Sequence, residues 1–410
     1  MPDNQLKIAM LSVHSCPVGT LGTKDTGGMS VYIRELAHQL GKLGNRVDIF
    51  TRAHNPEHRQ IIELSRNVRL IHLAAGEVDE IPKLATYPLL PHFIENLDDF
   101  RRDNSLRYDL LFSHYWLSAC VGKELQVSWD IPHMVMFHTL GAVKNAIGIG
   151  EKEPELRIEG ERDAVQSCHR IIASTEREKE ALIEYYGAMP ERIGIVPCGV
   201  NPDLFHPSDK EKAKRELGFT DQKVILFVGR IEPLKGIDRL LQAITYLPEK
   251  TGLKLVIIGG GEQSRSEMER LQKLSDQLGI RDMVVFPGVV EHQQLPRYYN
   301  AADVSVVASY YESFGLVALE SLACGIPVIA TDVGDLRDII RQGETGYIVD
   351  SNVPRSLAEK ITLILNQPKQ NSTQIRESVL RFSWSKIAEA IISEYRILNS
   401  FSLTSLTRGG

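Results

Sequence analysis

One pattern constrains this chain more than any other: short apolar runs alternate with segments of helical periodicity from one end to the other. In the first half the runs are Lys7–His14, Arg46–Arg52, Arg69–Ala75, Asp109–His114, His133–His138, Arg170–Ser174 and Arg192–Pro197. In the second half they are Lys223–Arg230, Leu253–Gly260, Met283–Pro287, Val304–Ser309, Val328–Thr331 and Tyr347–Asp350. Many are apolar at nearly every position, as strands buried on both faces are. Such strands separated by helices build parallel sheets covered by helices, so the predicted class is α/β. At 410 residues the chain is too long for one comfortable core and suits two such domains.

The helices between the strands are legible. After Gly27-Gly28, the residues Val31, Ile33, Leu36, Ala37, Leu40 and Leu43 form an apolar stripe, and Gly44-Asn45 stops it. Ile237, Leu240, Leu241 and Ile244 predict a helix over Leu234–Leu247. Pro197–Pro207 holds three prolines and a glycine and reads as the hinge, with a charged helix, Asp209–Leu217, after it. The expected division is one α/β domain over 1–200, a second over 208–384, a helix over 385–398 crossing back to the first domain, and a disordered tail over 399–410.

Composition removes several functions. A net charge of −6 argues against a nucleic-acid binder. Cys16, Cys120, Cys168, Cys198 and Cys324 are scattered, with no C-x-x-C pair, so neither a disulfide framework nor a zinc site is expected. The apolar run Ile8–Val13 is too short for a signal-peptide core, and no window approaches the ~18 apolar residues of a membrane span. A cytoplasmic protein without a transmembrane segment is expected.

Three motifs carry chemistry. In Asp25-Thr26-Gly27-Gly28-Met29-Ser30 the paired glycines admit a ligand to the backbone at a helix start, where free N–H groups attract an anion. The spacing departs from G-x-G-x-x-G, which weakens a dinucleotide reading; the bland alternative is a plain turn. Gly229-Arg230-Ile-Glu-Pro-Leu-Lys235-Gly236 follows a strongly apolar strand. That puts Arg230 and Lys235 where open α/β sheets bind ligands, with a bidentate grip and a point charge for a diphosphate. The third runs from Glu312 through Phe314 and Gly315 to Glu320. Gly315 opens a helix whose first N–H groups, at Gly315, Leu316 and Val317, suit a phosphate. Glu312 can accept from sugar hydroxyls and Glu320 can hold a ribose diol; a solvated helix face is the alternative. A fourth set, His14, His114-Tyr115, His138-Thr139 and Arg157, lies at strand ends of the first half and should line one cleft edge. These histidines are not read as metal ligands, and no G-x-S-x-G anchors a hydrolase triad.

The Glu312–Glu320 pair resembles the E-x7-E motif of family 4 retaining glycosyltransferases, and residues 229–236 look like their donor-phosphate site. The resemblance covers about Lys7 to Leu398 and implies the GT-B fold, two Rossmann-like domains facing across a cleft, the N-terminal one (1–200) binding the acceptor and the C-terminal one (208–384) the nucleotide-sugar. It implies a UDP-sugar whose diphosphate meets Arg230, Lys235 and the helix start at Gly315, Leu316 and Val317. Gly28, Phe314, Glu312 and Glu320 complete the donor site, and His138 lies near the donor sugar. His138, Arg230, Lys235 and Glu312 are the catalytic candidates. The implied reaction is same-face attack with retention, the departing diphosphate serving as base. No cofactor is then required and no metal residue is named, because a diphosphate can carry its own Mg2+.

A narrower likeness joins residues 22–33, 113–118, 138–145 and 311–320 to D-inositol 3-phosphate glycosyltransferases of mycothiol synthesis, which move N-acetylglucosamine from UDP to inositol 3-phosphate. It implies an acceptor site of His14, Asp25, Gly27, Gly28, Ser30, Lys83, Tyr115, Thr139 and Arg157, with Lys83, Tyr115, Thr139 and Arg157 on the acceptor phosphate. Ser30 stands where that family has Asn. Sucrose-phosphate synthases resemble the same group and carry Gln where Met29 stands. The expected partners are therefore a nucleotide-sugar and a small phosphorylated acceptor; a homodimer is compatible with the motifs. A nucleotide-sugar epimerase would leave the Tyr115–Arg157 set without purpose. The intact Arg230, Lys235, Glu312 and Glu320 speak against a non-catalytic sugar-binding protein.

Overall fold

The computed structural model describes residues 5–19, 27–261, 264–367 and 371–406. Asp25 and residues 407–410 therefore lie outside the described residues. The first sheet comprises β1 (Lys7–Leu11), β2 (Arg46–Arg52), β3 (Ile61–Ser65), β4 (Val68–Leu73), β5 (Leu110–His114), β6 (His133–Met136), β7 (Arg170–Ala173) and β8 (Ile193–Ile195), in the order β3-β4-β2-β1-β5-β6-β7-β8. Ile8 pairs with Val47 on one side and Leu110 on the other. The second sheet comprises β9 (Lys223–Val228), β10 (Leu253–Ile258), β11 (Val284–Gly288), β12 (Val304–Val307), β13 (Val328–Thr331) and β14 (Gly346–Val349), in the order β11-β10-β9-β12-β13-β14.

The all-apolar character of these strands follows from their place. Ile8–Leu11, Leu110–His114 and Val304–Val307 are buried throughout, because helices cover both faces. In each sheet the strand order reverses beside the first strand, between β1 and β5 and between β9 and β12. A crevice opens outside the carboxyl ends at such a point. His14 and Tyr115 stand at the first crevice; Arg230 and Glu312 stand at the second.

Several expected boundaries shift. β3 has no counterpart in the sequence reading: it is the edge strand, antiparallel to β4 and half exposed, so it carries no long apolar run. Helix Gly28–Lys42 ends one residue before Leu43, which is exposed and outside the buried stripe. The helix read from Leu234 begins at Ile237, because Pro233–Lys235 forms a separate 3-10 turn closed by left-handed Gly236. The terminal helix runs from Trp384 to Leu406, past the point where a disordered tail was expected.

That helix packs on helix Gly28–Lys42. The Trp384 ring meets Tyr32 at 5.3 Å, and Glu394 accepts from Arg170 Nε at 2.7 Å. The segment read as a hinge is tied to the returning chain: Val200 donates to the Phe382 carbonyl at 2.8 Å, and Arg376 donates to the carbonyls of Phe205 and Pro202 at 2.6 and 2.8 Å. Among the described residues no helix is long and apolar enough to cross a membrane.

Candidate active site between the two sheets

The two crevices face each other and enclose a cavity of about 290 Å³. Two backbone starts meet across it. A Cβ on Gly28 would sit 3.1 Å from Leu316 Cδ1, a tight contact, so the bare backbone of Gly28 brings the start of helix Gly28–Lys42 close to the start of helix Leu316–Ala323. Gly315 takes φ +116° at the N-terminus of the latter helix, a conformation that L side chains avoid. Both helices thus present their first N–H groups, which have no intrahelical partner, toward one space.

Gly229-Arg230 continues directly from β9, and the next turn brings Lys235 back to the end of β12. Lys235 Nζ donates to Glu312 Oε1 at 2.6 Å, and Ser309 Oγ donates to the same oxygen at 2.8 Å. Arg230 pairs with Glu232 at 3.0 Å. Burial pushes the Glu232 carboxyl up, but Arg230, Lys235, Lys144 and Lys83 together outweigh it and hold the group below its usual range. Two of these cations come from each half of the chain, and all four line the cavity. Glu232 and Lys144 were not singled out from sequence, although both lie within segments that were.

On the first sheet's side, Tyr115 and His138 both take left-handed backbone, with φ of 75° and 63°. For residues this bulky that is a strained conformation, of the kind held at functional sites by surrounding structure. Both residues line the cavity. His14 lies over Tyr115 at 4.5 Å between ring centroids. His138 Nε2 and His114 Nδ1 are 2.9 Å apart, and the His138 carbonyl accepts from Ser313 Oγ of the other half. Burial pushes the His138 pKa down to about 3, and burial with Lys83, Arg157 and His138 lowers that of His14. Both imidazoles are neutral near pH 7. They can exchange hydrogen bonds with a ligand but cannot serve as acids.

The sequence-read residues divide accordingly. His14, Gly27, Gly28, Lys83, Tyr115, His138, Thr139, Arg230, Lys235, Glu312, Gly315, Leu316, Val317 and Glu320 line the cavity. Phe314 also borders it, but its ring is buried against Phe382. Glu320 is 6% exposed and already accepts from His292 Nε2 at 2.9 Å and Tyr299 OH at 2.8 Å. Each oxygen keeps a second lone pair for a diol. His292, which sequence reading missed, also receives Arg34 at 3.3 Å, linking the two halves beside Glu320.

Two assignments change. Ser30 is fully buried with its Oγ 3.0 Å from Ser15 Oγ, and it does not line the cavity. Its short side chain cannot reach an acceptor from there. Arg157 is 2% exposed and lies behind the wall. It spends four of its five N–H groups on Glu161 Oε1 at 2.7 Å, Glu153 Oε1 at 2.9 Å, and the carbonyl and hydroxyl of Thr139 at 2.9 Å each. It therefore positions Thr139 and, at 4.9 Å from its ring, Tyr115.

Known proteins share this design. Two family models cover most of the chain: Glycosyltransferase Family 4 matches residues 26–204, and Glycosyl transferases group 1 matches residues 209–379. A D-inositol 3-phosphate glycosyltransferase from Acidothermus cellulolyticus is 38% identical over 406 residues, 95% of this chain and 90% of that one. Its counterpart from Corynebacterium glutamicum is 35% identical over 405 residues, 95% of this chain and 96% of that one. Among solved structures, a sucrose-phosphate synthase from Thermosynechococcus elongatus superposes with a TM-score of 0.89 at 33% identity, over 97% of this chain and all of that one. Anabaena HepE in complex with UDP and glucose shares the fold, with a TM-score of 0.77 at 18% identity over 96% of this chain and all of that one. The chain belongs to the family 4 glycosyltransferases, with the GT-B fold.

Proposed function

We propose that this enzyme moves a hexosyl group, glucose or N-acetylglucosamine, from its UDP form to a small phosphorylated polyol or sugar, with retention of configuration. One observation carries the reading: Lys83 and Lys144 from the first half, and Arg230 and Lys235 from the second, converge on a single cavity between two helix starts. One anion would not require cations on both walls; a donor diphosphate facing an acceptor phosphate would. Arg230, Lys235 and the helix start at Gly315 take the diphosphate, Glu320 the ribose and Glu312 the sugar hydroxyls. Lys83, Tyr115 and Thr139 take the acceptor phosphate.

Retention with the leaving diphosphate as base is supported by what the protein withholds. Among the described residues, the acids lining the cavity are Glu232, Glu312 and Glu320, and each already holds a cation or hydrogen-bond donor. With His14 and His138 neutral and both Arg230 and Lys235 at the diphosphate, charge growing on the leaving oxygen is the most stabilised in the site.

The inositol 3-phosphate enzymes, as the more identical relatives, favour an inositol phosphate acceptor. A second reading, fructose 6-phosphate as acceptor, is favoured by the sucrose-phosphate synthase likeness and by the withdrawal of Ser30 from the cavity wall. UDP release is measured with UDP-glucose and UDP-N-acetylglucosamine against inositol 3-phosphate, fructose 6-phosphate and no acceptor. Release that depends on inositol 3-phosphate supports the first reading, and release that depends only on fructose 6-phosphate replaces it with the second. Equal release without any acceptor refutes both.

A further inference from the structure

Cys16, His54, His58 and His72 come from distant parts of the sequence, and the strand order β4-β2-β1 gathers them at one sheet edge. Cys16 lies in the loop after β1, His54 two residues beyond β2, and His72 within β4. The ligating atoms of Cys16, His54 and His72 all lie within 4.8 Å of one another. Cys16 Sγ is 3.6 Å from His72 Nε2. With metal–sulfur and metal–nitrogen bonds of about 2.3 and 2.0–2.1 Å, a tetrahedral site has an S···N edge of about 3.6 Å.

The imidazoles are also oriented as ligands are. His72 Nδ1 faces the Arg59 carbonyl at 3.0 Å and His54 Nδ1 faces the Arg52 carbonyl at 3.3 Å, so a proton on each Nδ1 leaves Nε2 as the free lone pair. The His58 ring stands 5.0 Å from that of His54 and 5.1 Å from that of His72. Its Nδ1 is buried without a hydrogen-bond partner. A buried orphan nitrogen costs stability unless something meets it. None of these four residues lines the active-site cavity.

We propose that Cys16, His54 and His72 bind one divalent d-block ion of the zinc type, which clips the loop after β1 to the ends of β2 and β4; His58, outside that trio with its ring 5.0–5.1 Å from the rings of His54 and His72, turns in as the fourth ligand. A thiolate with imidazoles selects such an ion over Mg2+ or Ca2+, which prefer oxygen. Binding releases the Cys16 thiol proton to solvent and forms the sulfur–metal bond in its place. All ligands are protein atoms, so the role is structural. Cys16 is two residues from His14, and fixing its loop fixes His14 over Tyr115. The sequence reading missed the site because the lone cysteine has no C-x-x-C partner and the spacing of His54 and His58 went unused.

The test is cobalt titration of the full chain after chelator treatment. One equivalent of Co2+ is expected to give the ligand-field bands of a tetrahedral ion with a thiolate charge-transfer band, and Zn2+ should bleach both. Cys16→Ser should lose the charge-transfer band. His54→Gln, at a half-buried position that can change without unfolding the sheet, should bind Co2+ at least tenfold more weakly. Zn2+ should raise the Tm of the wild type and not that of the variant carrying both Cys16→Ser and His54→Gln. A six-coordinate cobalt spectrum, or a spectrum unchanged in both variants, overturns the proposal.

Discussion

Replacing Lys235 by alanine tests the electrostatic account of catalysis at its centre. The lysine contacts Glu312 at 2.6 Å, with the two side chains 13% and 15% exposed. A cation about 4 Å from a diphosphate oxygen contributes roughly 4 kcal/mol at an effective dielectric of about 20. If only half of that arises as the glycosidic bond breaks, the loss is about 2 kcal/mol, or about 30-fold in kcat; if all of it does, about 1000-fold. The fold should hardly notice, since a partly exposed ion pair contributes on the order of 1 kcal/mol, a few degrees of Tm. The assay is UDP release at saturating donor beside a thermal melt. Lys235→Arg, which keeps the charge, should recover most of the loss. Turnover of Lys235→Ala within threefold of wild type, with the fold intact, would refute the role.

Three further outcomes follow from the geometry. Arg157→Leu leaves Glu161, fully buried, with only Tyr186 and the Gly141 N–H as donors; an uncompensated buried carboxylate costs about 3–5 kcal/mol, so Tm should fall on the order of 10 °C. An unchanged Tm with a raised acceptor KM would return Arg157 to direct contact with the phosphate. Gly28→Val places methyl groups against Leu316, so kcat/KM for both substrates should drop at least tenfold with little change in Tm; unchanged kinetics would mean the two helix starts need not meet. His133 and His138 are pushed by burial to about 3, below the unfolded value near 6.5. Between those pH values the unfolded chain binds more protons, so stability rises with pH across the window. From pH 7 to pH 5 each histidine should cost about 2 kcal/mol, and a melt that is flat over that range would contradict their burial as neutral groups.

What could be read in advance depended on range. The all-apolar runs and helical stripes are local signals, and they yielded both sheets and the cavity residues at strand ends. β3 escaped because an edge strand with one open side needs no continuous apolar run. Lys144 and Glu232 escaped because their importance lies in convergence from opposite sheets, which no local pattern records. Ser30 and Arg157 were placed in the wall by resemblance, yet one side chain turns inward to Ser15 and the other is consumed by Glu161, Glu153 and Thr139. Proximity in sequence to a motif fixed their backbone, but not the direction of their side chains.

The division of labour between the halves explains the arrangement of strain. The wall built on the second sheet is held by ordinary elements: a strand end, a 3-10 turn and a helix start, locked by Gly236 and Gly315 in left-handed backbone that glycine adopts without steric cost. The wall built on the first sheet includes Tyr115 and His138, which carry left-handed backbone at a cost of order 1–3 kcal/mol each. That cost is offset by contacts from elsewhere. Arg157 lies over the Tyr115 ring, and Ser313 of the opposite half caps the His138 carbonyl. The Ser313 contact exists only while the halves are together, and Ser313 sits within the Glu312–Glu320 motif itself. Opening the cleft would therefore free the His138 carbonyl, while Arg157 would keep its place over Tyr115, so of the two strained residues His138 alone is tied by this contact to the opposite half.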